Sequence, residues 1–297
     1  MTNKKRFRFR VNPMFIKEFL RPQIMGILNL TPDSFSDGGR YDTDRAISRG
    51  LEMVAEGADV IDIGGESTRP GARKVTATEQ IGRVLDSITG LAERLPADIP
   101  ISIDTTKSEV AARAIEQGAG VINDVSAGRD DPEMFELAAS TGVPIVLMHM
   151  QGSPQTMQKD PVYKDVISEV MGFLENRIEA ALKAGVSSKS IVIDPGIGFG
   201  KGRRHNLQLL AHLKQIRGLG YPTMLGASRK GFMGSLCEVE NPRQLIPATC
   251  TTTALGVIAG VELFRVHDVW QNRQAADVAW AIQQAKADIT EPPVKAE

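Results

Sequence analysis

Apolar residues are unevenly spread along this chain. Eight short runs, at 24–30, 60–63, 101–104, 121–125, 144–150, 191–194, 223–228 and 263–268, are largely apolar and then break into polar residues or glycine. Each is followed by a stretch with helical spacing: 44–56, 77–95, 107–117, 132–140, 162–184, 206–217, 242–259 and 270–286. A continuous short apolar run suits a strand covered on both faces, whereas recurrence at three and four residues buries one stripe of a helix. Several helical stretches stop at glycine (Gly57, Gly118, Gly142, Gly185, Gly218), which accepts the left-handed backbone that ends many helices. Strand and helix alternating eight times predict an α/β fold, a single-domain (β/α)8 TIM barrel; a doubly wound open sheet is the alternative arrangement.

The rhythm fills residues 23–289, so that span is expected to be the barrel. Residues 1–22 form a basic extension; through residue 23 the chain carries seven basic residues (Lys4, Lys5, Arg6, Arg8, Arg10, Lys17, Arg21) against Glu18. The alternation Arg6-Phe7-Arg8-Phe9-Arg10 has period two and predicts an N-terminal strand or hairpin laid against the main fold. Residues 290–297, with Pro292-Pro293, are expected to fray.

Composition narrows the class. The chain has 297 residues, 42% hydrophobic and 24% charged, which excludes a disordered chain and suits one barrel of ~250 residues. A net charge of -1 removes the bulk signature of a nucleic-acid partner. No apolar run approaches the ~20 residues of a membrane span, and no apolar segment of signal-peptide type follows the basic start. Cys237 and Cys250 belong to no CxxC pair, so neither a disulfide framework nor a structural zinc site is expected. These features predict a soluble, cytoplasmic enzyme.

In a barrel of this kind the chemistry gathers where the strands end. The first ends in Asn29 before Thr31-Pro32-Asp33-Ser34-Phe35-Ser36-Asp37-Gly38-Gly39, and the second in Gly64-Gly65-Glu66-Ser67-Thr68-Arg69-Pro70-Gly71. The third and fourth end in Asp104 and Asn123-Asp124, the fifth in Met148-His149-Met150, and the sixth in Asp194-Pro195-Gly196-Ile197-Gly198-Phe199-Gly200-Lys201. The last two end in Gly226-Ala227-Ser228-Arg229-Lys230 and Arg265-Val266-His267-Asp268. Charges inside apolar strands are costly unless they are paired or used. Asp104 and Asp194 are therefore read as functional. Asp124 and Asp268 are read as caps or supports.

Two chemistries are mixed at this rim. Asp104, Asn123, Asp194 and Lys230 offer acceptors and a donor that suit a flat heterocycle with an amino-amide edge. Arg69, Arg265 and His267, with Asn29, Ser67 and Thr68, suit a phosphate or diphosphate. Asn29 can lend an oxygen to Mg²⁺, a hard cation that often rides on substrate phosphates. The spacing of Gly196-Ile197-Gly198-Phe199-Gly200 lacks the full dinucleotide fingerprint. Phe35 and Phe199, in glycine-bounded loops, read either as aromatic walls or as packing beneath their loops. His149, His205 and His212 have no ligand-like spacing.

Taken in order, these motifs resemble those of the dihydropteroate synthases, over residues 23–286. Leu30 stands where that family commonly has Val, and the basic extension is longer than in its compact members. The resemblance implies condensation of (7,8-dihydropterin-6-yl)methyl diphosphate with 4-aminobenzoate, Mg²⁺ dependence, a homodimer and sensitivity to sulfonamides. It also implies roles for residues. Asp104, Asn123, Asp194, Met148, Gly226, Lys230 and Arg265 would hold the pterin. Asn29, Thr68, Arg69, Arg265 and His267 would hold the diphosphate, with the metal on Asn29. Phe35, Thr68, Pro70, Phe199, Ser228 and Lys230 would hold 4-aminobenzoate. Asp104, Lys230, Arg265 and His267 would carry the catalysis, and Asp33 and Asp37 would belong to a loop that closes with the one over 67–73. An SN1-like ionisation is expected. The competing readings are a pterin-binding methyltransferase and a non-catalytic paralogue.

Overall fold

The computed structural model describes residues 21–31, 40–68 and 71–290. Eight parallel strands follow one another: β1 (Gln23–Asn29), β2 (Val60–Gly64), β3 (Ile101–Asp104), β4 (Val121–Asp124), β5 (Ile145–Met148), β6 (Ile191–Asp194), β7 (Met224–Leu225) and β8 (Leu263–Val266). Their order in the sheet is β6-β5-β4-β3-β2-β1-β8-β7. A parallel bridge between Ile193 and Thr223, with the Ile193 N–H donating to the Pro222 carbonyl at 2.9 Å, brings the two ends together. The expected barrel is present. The N-terminal strand or hairpin falls on residues outside the described ones.

The helices are α1 (Arg40–Ala55), α2 (Ala77–Ala92), α3 (Ser108–Glu116), α4 (Glu133–Thr141), α5 (Val166–Lys183), α6 (Arg203–Ala211), α7 (Leu213–Arg217), α8 (Gly231–Cys237), α9 (Ile246–Ile258) and α10 (Val269–Thr290). Their caps explain where they differ from the periodicity. α5 starts four residues later than its apolar spacing predicts. The Asp165 carboxylate accepts from the Ile167 N–H at 3.0 Å, and Glu169 accepts back from the Asp165 N–H at 3.0 Å. α9 starts after a 3-10 turn, Pro242–Gln244, capped by Asn241. α8 was not expected: seven residues with two glycines carry little helical signal, but Met233 is buried and Phe232 packs against the core. α10 runs to Thr290, one residue into the stretch expected to fray.

Strand β7 is shorter than its apolar run. Pro222 has no N–H to give a ladder, and the Glu262 carboxylate takes the Thr223 N–H at 2.9 Å.

Alternation along the strands decides what faces the barrel axis. Met25, Val60, Val121, Val146, Val192, Met224 and Leu263 form one buried cluster, the dry lower layer of the interior. Steps of two from these toward the C-terminal rim give Ile27 and Asn29, Asp62 and Gly64, Asn123, Met148, Asp194, Gly226 and Arg265. Register adds Ser102 opposite Asp62 and Asp104 opposite Gly64 on β3. The outward phase packs against the helices in a second, larger apolar cluster.

Candidate active site

The inward phase concentrates charge in the upper half of the barrel. The Arg265 guanidinium donates from Nε to Asp62 Oδ2 and from Nη2 to Asp104 Oδ2, both at 2.7 Å. Asn123 Nδ2 donates to the same Asp62 oxygen at 3.3 Å. All four side chains are largely withdrawn from water, so each would be costly without these partners. Gly64 stands among them without a side chain. A Cβ there would lie 3.5 Å from both Asn29 Oδ1 and Asp104 Cβ, so its absence leaves a cradle between those two residues.

One cation among several acids does not hold every proton off. Burial pushes the Asp104 carboxyl up to about 7; Arg265 opposes this, and the charges of Asp62, Asp124 and Glu66 reinforce it. Burial likewise pushes Asp194 up to about 6, against the Gly196 N–H that donates to its Oδ1 at 2.6 Å and the positive charge of Lys230. For Arg265, burial works against the charge, but Asp62 and Asp104 outweigh it and tighten its hold on the proton. Asp124 belongs to the outward phase. It accepts from the Ser126 and Gly128 N–H groups at 2.8 and 2.6 Å and so ties the turn after β4.

The loops after β6, β7 and β8 form one wall. Lys230 Nζ lies 3.9 Å from the centroid of the Phe199 ring, a cation–π contact. The Lys230 stem crosses Gly198, whose φ is +82° and whose Cβ, if present, would meet Lys230 Cδ at 2.8 Å. Phe199 also packs with Met148 and Met150. Ser228 Oγ lies 2.9 Å from His267 Nδ1 and accepts from the His267 N–H at 3.2 Å. Arg229 points away to form a two-pronged pair with Asp268, with Nε to Oδ2 at 2.9 Å, which gives Asp268 a supporting place.

On the opposite side, Glu66 draws the loop after β2 back on α2. It accepts from the Val75 N–H at 3.2 Å and from Gln80 Nε2 at 2.5 Å. Gln80 in turn accepts from Thr105 Oγ1 at 2.9 Å. Thr68 is half-buried at the start of this loop.

The strand-borne candidates Asn29, Asp104, Asn123, Met148, Asp194, Gly226 and Arg265 thus share the inward phase, while Phe199, Ser228, Lys230 and His267 meet on the loops beside them. Asp33, Phe35, Asp37, Arg69 and Pro70 lie outside the described residues, as do residues 32–39 of the first expected closing loop. Asp62 and Lys201 were missed. The signal for Asp62 was present: it is an acid inside an apolar strand, like Asp104 and Asp194, but two residues below the strand's end. The three histidines without ligand-like spacing make local contacts: His149 with Lys201, His205 with the Gly202 N–H and His212 with the Gln208 carbonyl. Among the described residues no cluster of three or more His, Cys, Asp or Glu side chains could hold a metal, and no helix is long and apolar enough to cross a membrane.

Residues 25–267 match the family model for the pterin binding enzymes. A dihydropteroate synthase of Synechocystis is 43% identical over 263 residues, 88% of this chain and 90% of its own. Two solved structures are similar throughout. Yersinia pestis dihydropteroate synthase, solved as a sulfonamide drug complex, superposes with a TM-score of 0.84 at 41% identity, covering 90% of this chain and 96% of its own. Xanthomonas albilineans dihydropteroate synthase, solved with 4-aminobenzoic acid, gives 0.83 at 43% identity, covering 92% and 95%. Identity at this level across the barrel, with the strand-end motifs in place, puts the chain in the dihydropteroate synthase family of pterin binding enzymes.

Proposed function

We propose that this barrel mouth joins (7,8-dihydropterin-6-yl)methyl diphosphate to 4-aminobenzoate, giving 7,8-dihydropteroate and diphosphate for tetrahydrofolate biosynthesis. The observation that carries this reading is the inward ring of Asp104, Asn123 and Asp194 beside Lys230. It supplies acceptors and a donor for an amino-amide edge at the one depth where the barrel interior turns polar. Met148 and Arg265 flank the ring faces, and Gly226 leaves the space open: a Cβ there would lie 3.6 Å from Asp194 Oδ2.

The diphosphate lies toward the rim, against Asn29, Thr68, Arg69, Arg265 and His267. The chemistry of Asn29 and the cradle beside Gly64 fit Mg²⁺, a hard cation that Asn29 would hold through its amide oxygen. When bound, the metal neutralises the leaving diphosphate. The pterin methylene C–O bond breaks first, and both electrons leave with the diphosphate. Asp104 faces the resulting delocalised cation and stabilises it. The amine of 4-aminobenzoate, held by Phe35, Thr68, Pro70, Phe199, Ser228 and Lys230, forms the new C–N bond and then loses a proton to solvent. An arylamine is already neutral near pH 7, so no general base is needed. The loops carrying Asp33, Asp37 and Arg69 close over the diphosphate and keep water from the cation.

The chain works as a homodimer in the cytoplasm, with residues 1–22 as a basic extension outside the 23–289 barrel. Leu255, Ile258, Trp270, Val278 and Ile282 are exposed on α9 and α10, and these two helices would supply the apolar contact between subunits. Sulfonamides, as 4-aminobenzoate mimics, compete at the Phe199 and Ser228 wall.

Diphosphate release by the purified protein, with the pterin diphosphate and Mg²⁺, should depend on 4-aminobenzoate and yield dihydropteroate. Pterin binding with no release under any condition would support the methyltransferase or non-catalytic reading instead. Chelation of the metal should abolish release.

A further inference from the structure

Lys201 takes no part in the reaction as drawn, yet it is among the most deeply buried charged side chains, with 2% of its surface exposed. A lysine is almost never so buried without a dedicated set of partners. Its Nζ has four uncharged partners: His149 Nδ1 at 2.8 Å, the Gly196 carbonyl at 2.9 Å, the Phe199 carbonyl at 3.0 Å and the His149 carbonyl at 3.3 Å. Burial pushes the Lys201 ammonium below the ordinary lysine range and the charge of Asp194 opposes this. Three of these partners are carbonyls, which can only accept, so the amine donates, and its three N–H groups are shared among the four. Facing the ammonium, His149 accepts at Nδ1 and carries its proton on Nε2. Burial, with the positive charges of Lys201 and Arg129, pushes its pKa down to about 2, so it stays neutral.

Other polar groups of this loop are pinned as well. Tyr163 donates to the Gly200 carbonyl and Gln158 to the Gly198 carbonyl, both at 2.7 Å, and the Gly198 N–H donates to Asn206 Oδ1 at 2.7 Å. Lys201 is the one member that grips both ends of the turn that presents Phe199. We propose that Lys201 is a positioning residue for the arylamine half of the site: its buried amine gathers the Gly196 and Phe199 carbonyls and so sets how the Phe199 ring faces Lys230. This rests on the assignment of Phe199 to the 4-aminobenzoate wall.

The test is Lys201→Met, which keeps the stem and removes the donors, assayed at about pH 8, above the range in which Asp194 titrates. The KM for 4-aminobenzoate should rise tenfold or more, while the KM for the pterin diphosphate stays within about twofold. A general loss of packing would move both constants or neither, and either result overturns the inference. If the variant does not fold, the wild-type protein decides: ¹⁵N NMR should find the His149 proton on Nε2, and a proton on Nδ1 overturns the inference. Wild-type protein with no arylamine-dependent release would instead remove the functional reading. An active wild type whose Lys201→Met variant lacks the KM split removes only this inference.

Discussion

Arg265 on β8 reaches past β1 to Asp62 on β2, with Nε 2.7 Å from Oδ2, and the bond fixes the guanidinium whose other edge faces Asp104. Asp62 is fully buried and donates nothing, so its value lies in orienting Arg265 and Asn123. Leaving a buried charge with no partner costs about 3–5 kcal/mol; Arg265 keeps Asp104, so the loss of Asp62 falls below that range. Asp62→Ala should lower unfolding free energy by about 1–3 kcal/mol in a urea titration, the cost of a lost charged hydrogen bond, and weaken diphosphate binding. A loss below about 1 kcal/mol would mean that Asp104 alone holds Arg265.

Asp104→Asn keeps the shape and a hydrogen-bonding edge but removes the charge proposed to face the developing cation. Loss of a preorganised electrostatic group costs roughly 10²–10³ in turnover. Single-turnover rates should fall by about that factor with the pterin still bound. Weak binding with an unchanged rate would exclude the electrostatic role.

Burial holds the Asp104 and Asp194 carboxyls at about 7 and about 6. Both must be ionised to work as proposed, so kcat/KM for the pterin diphosphate should fall as pH drops through that range. Stability should move the other way. The folded state binds these protons more tightly than the unfolded chain, so this contribution is present at low pH and is lost as pH rises from about 4 to about 7. Melting curves between pH 5.5 and 8 check the second statement, and Asp104→Asn should flatten its share.

Gly196 has a φ of +67°, and a Cβ on it would lie 1.9 Å from the His149 carbonyl oxygen, a backbone atom that cannot swing aside. Its N–H also holds Asp194. Gly196→Ala should lose on the order of 1–3 kcal/mol from backbone strain alone, and more from the clash. The pterin KM should rise because relief of the clash moves the backbone N–H away from Asp194. A variant with wild-type melting and kinetics would show that the turn after β6 has another conformation.

Among the described side chains of α10, Trp270 and Val278 are the most exposed large apolar ones, at 58% and 62%. Trp270→Glu with Val278→Glu should convert a dimer to a monomer in light scattering without unfolding the barrel. A wild-type monomer at micromolar concentration would remove the dimer proposal.

The eightfold rhythm made the barrel legible, because a parallel strand buried on both faces writes itself as an uninterrupted apolar run. Asp104 and Asp194 were equally legible, since each ends such a run. Asp62 was less so: it too is an acid inside an apolar run, but it sits mid-strand, and the inward phase, fixed by register with Ser102, gives it its place. Lys201 reads in sequence as one more residue of a glycine-rich loop. Its burial depends on the carbonyls that the fold turns toward it. Helix α8 escaped for the opposite reason, as tertiary packing supports what local propensity does not.

The seam between β6 and β7 rests on a single bridge, whereas β1 and β2 share a five-residue register. Elastic breathing of the barrel should thus concentrate at that edge, in the low-stability end of its local openings. Asp194 and Gly226 stand at its rim, on either side of the gap. With the pterin held there as proposed, the fold's compliance and its ligand would share one edge.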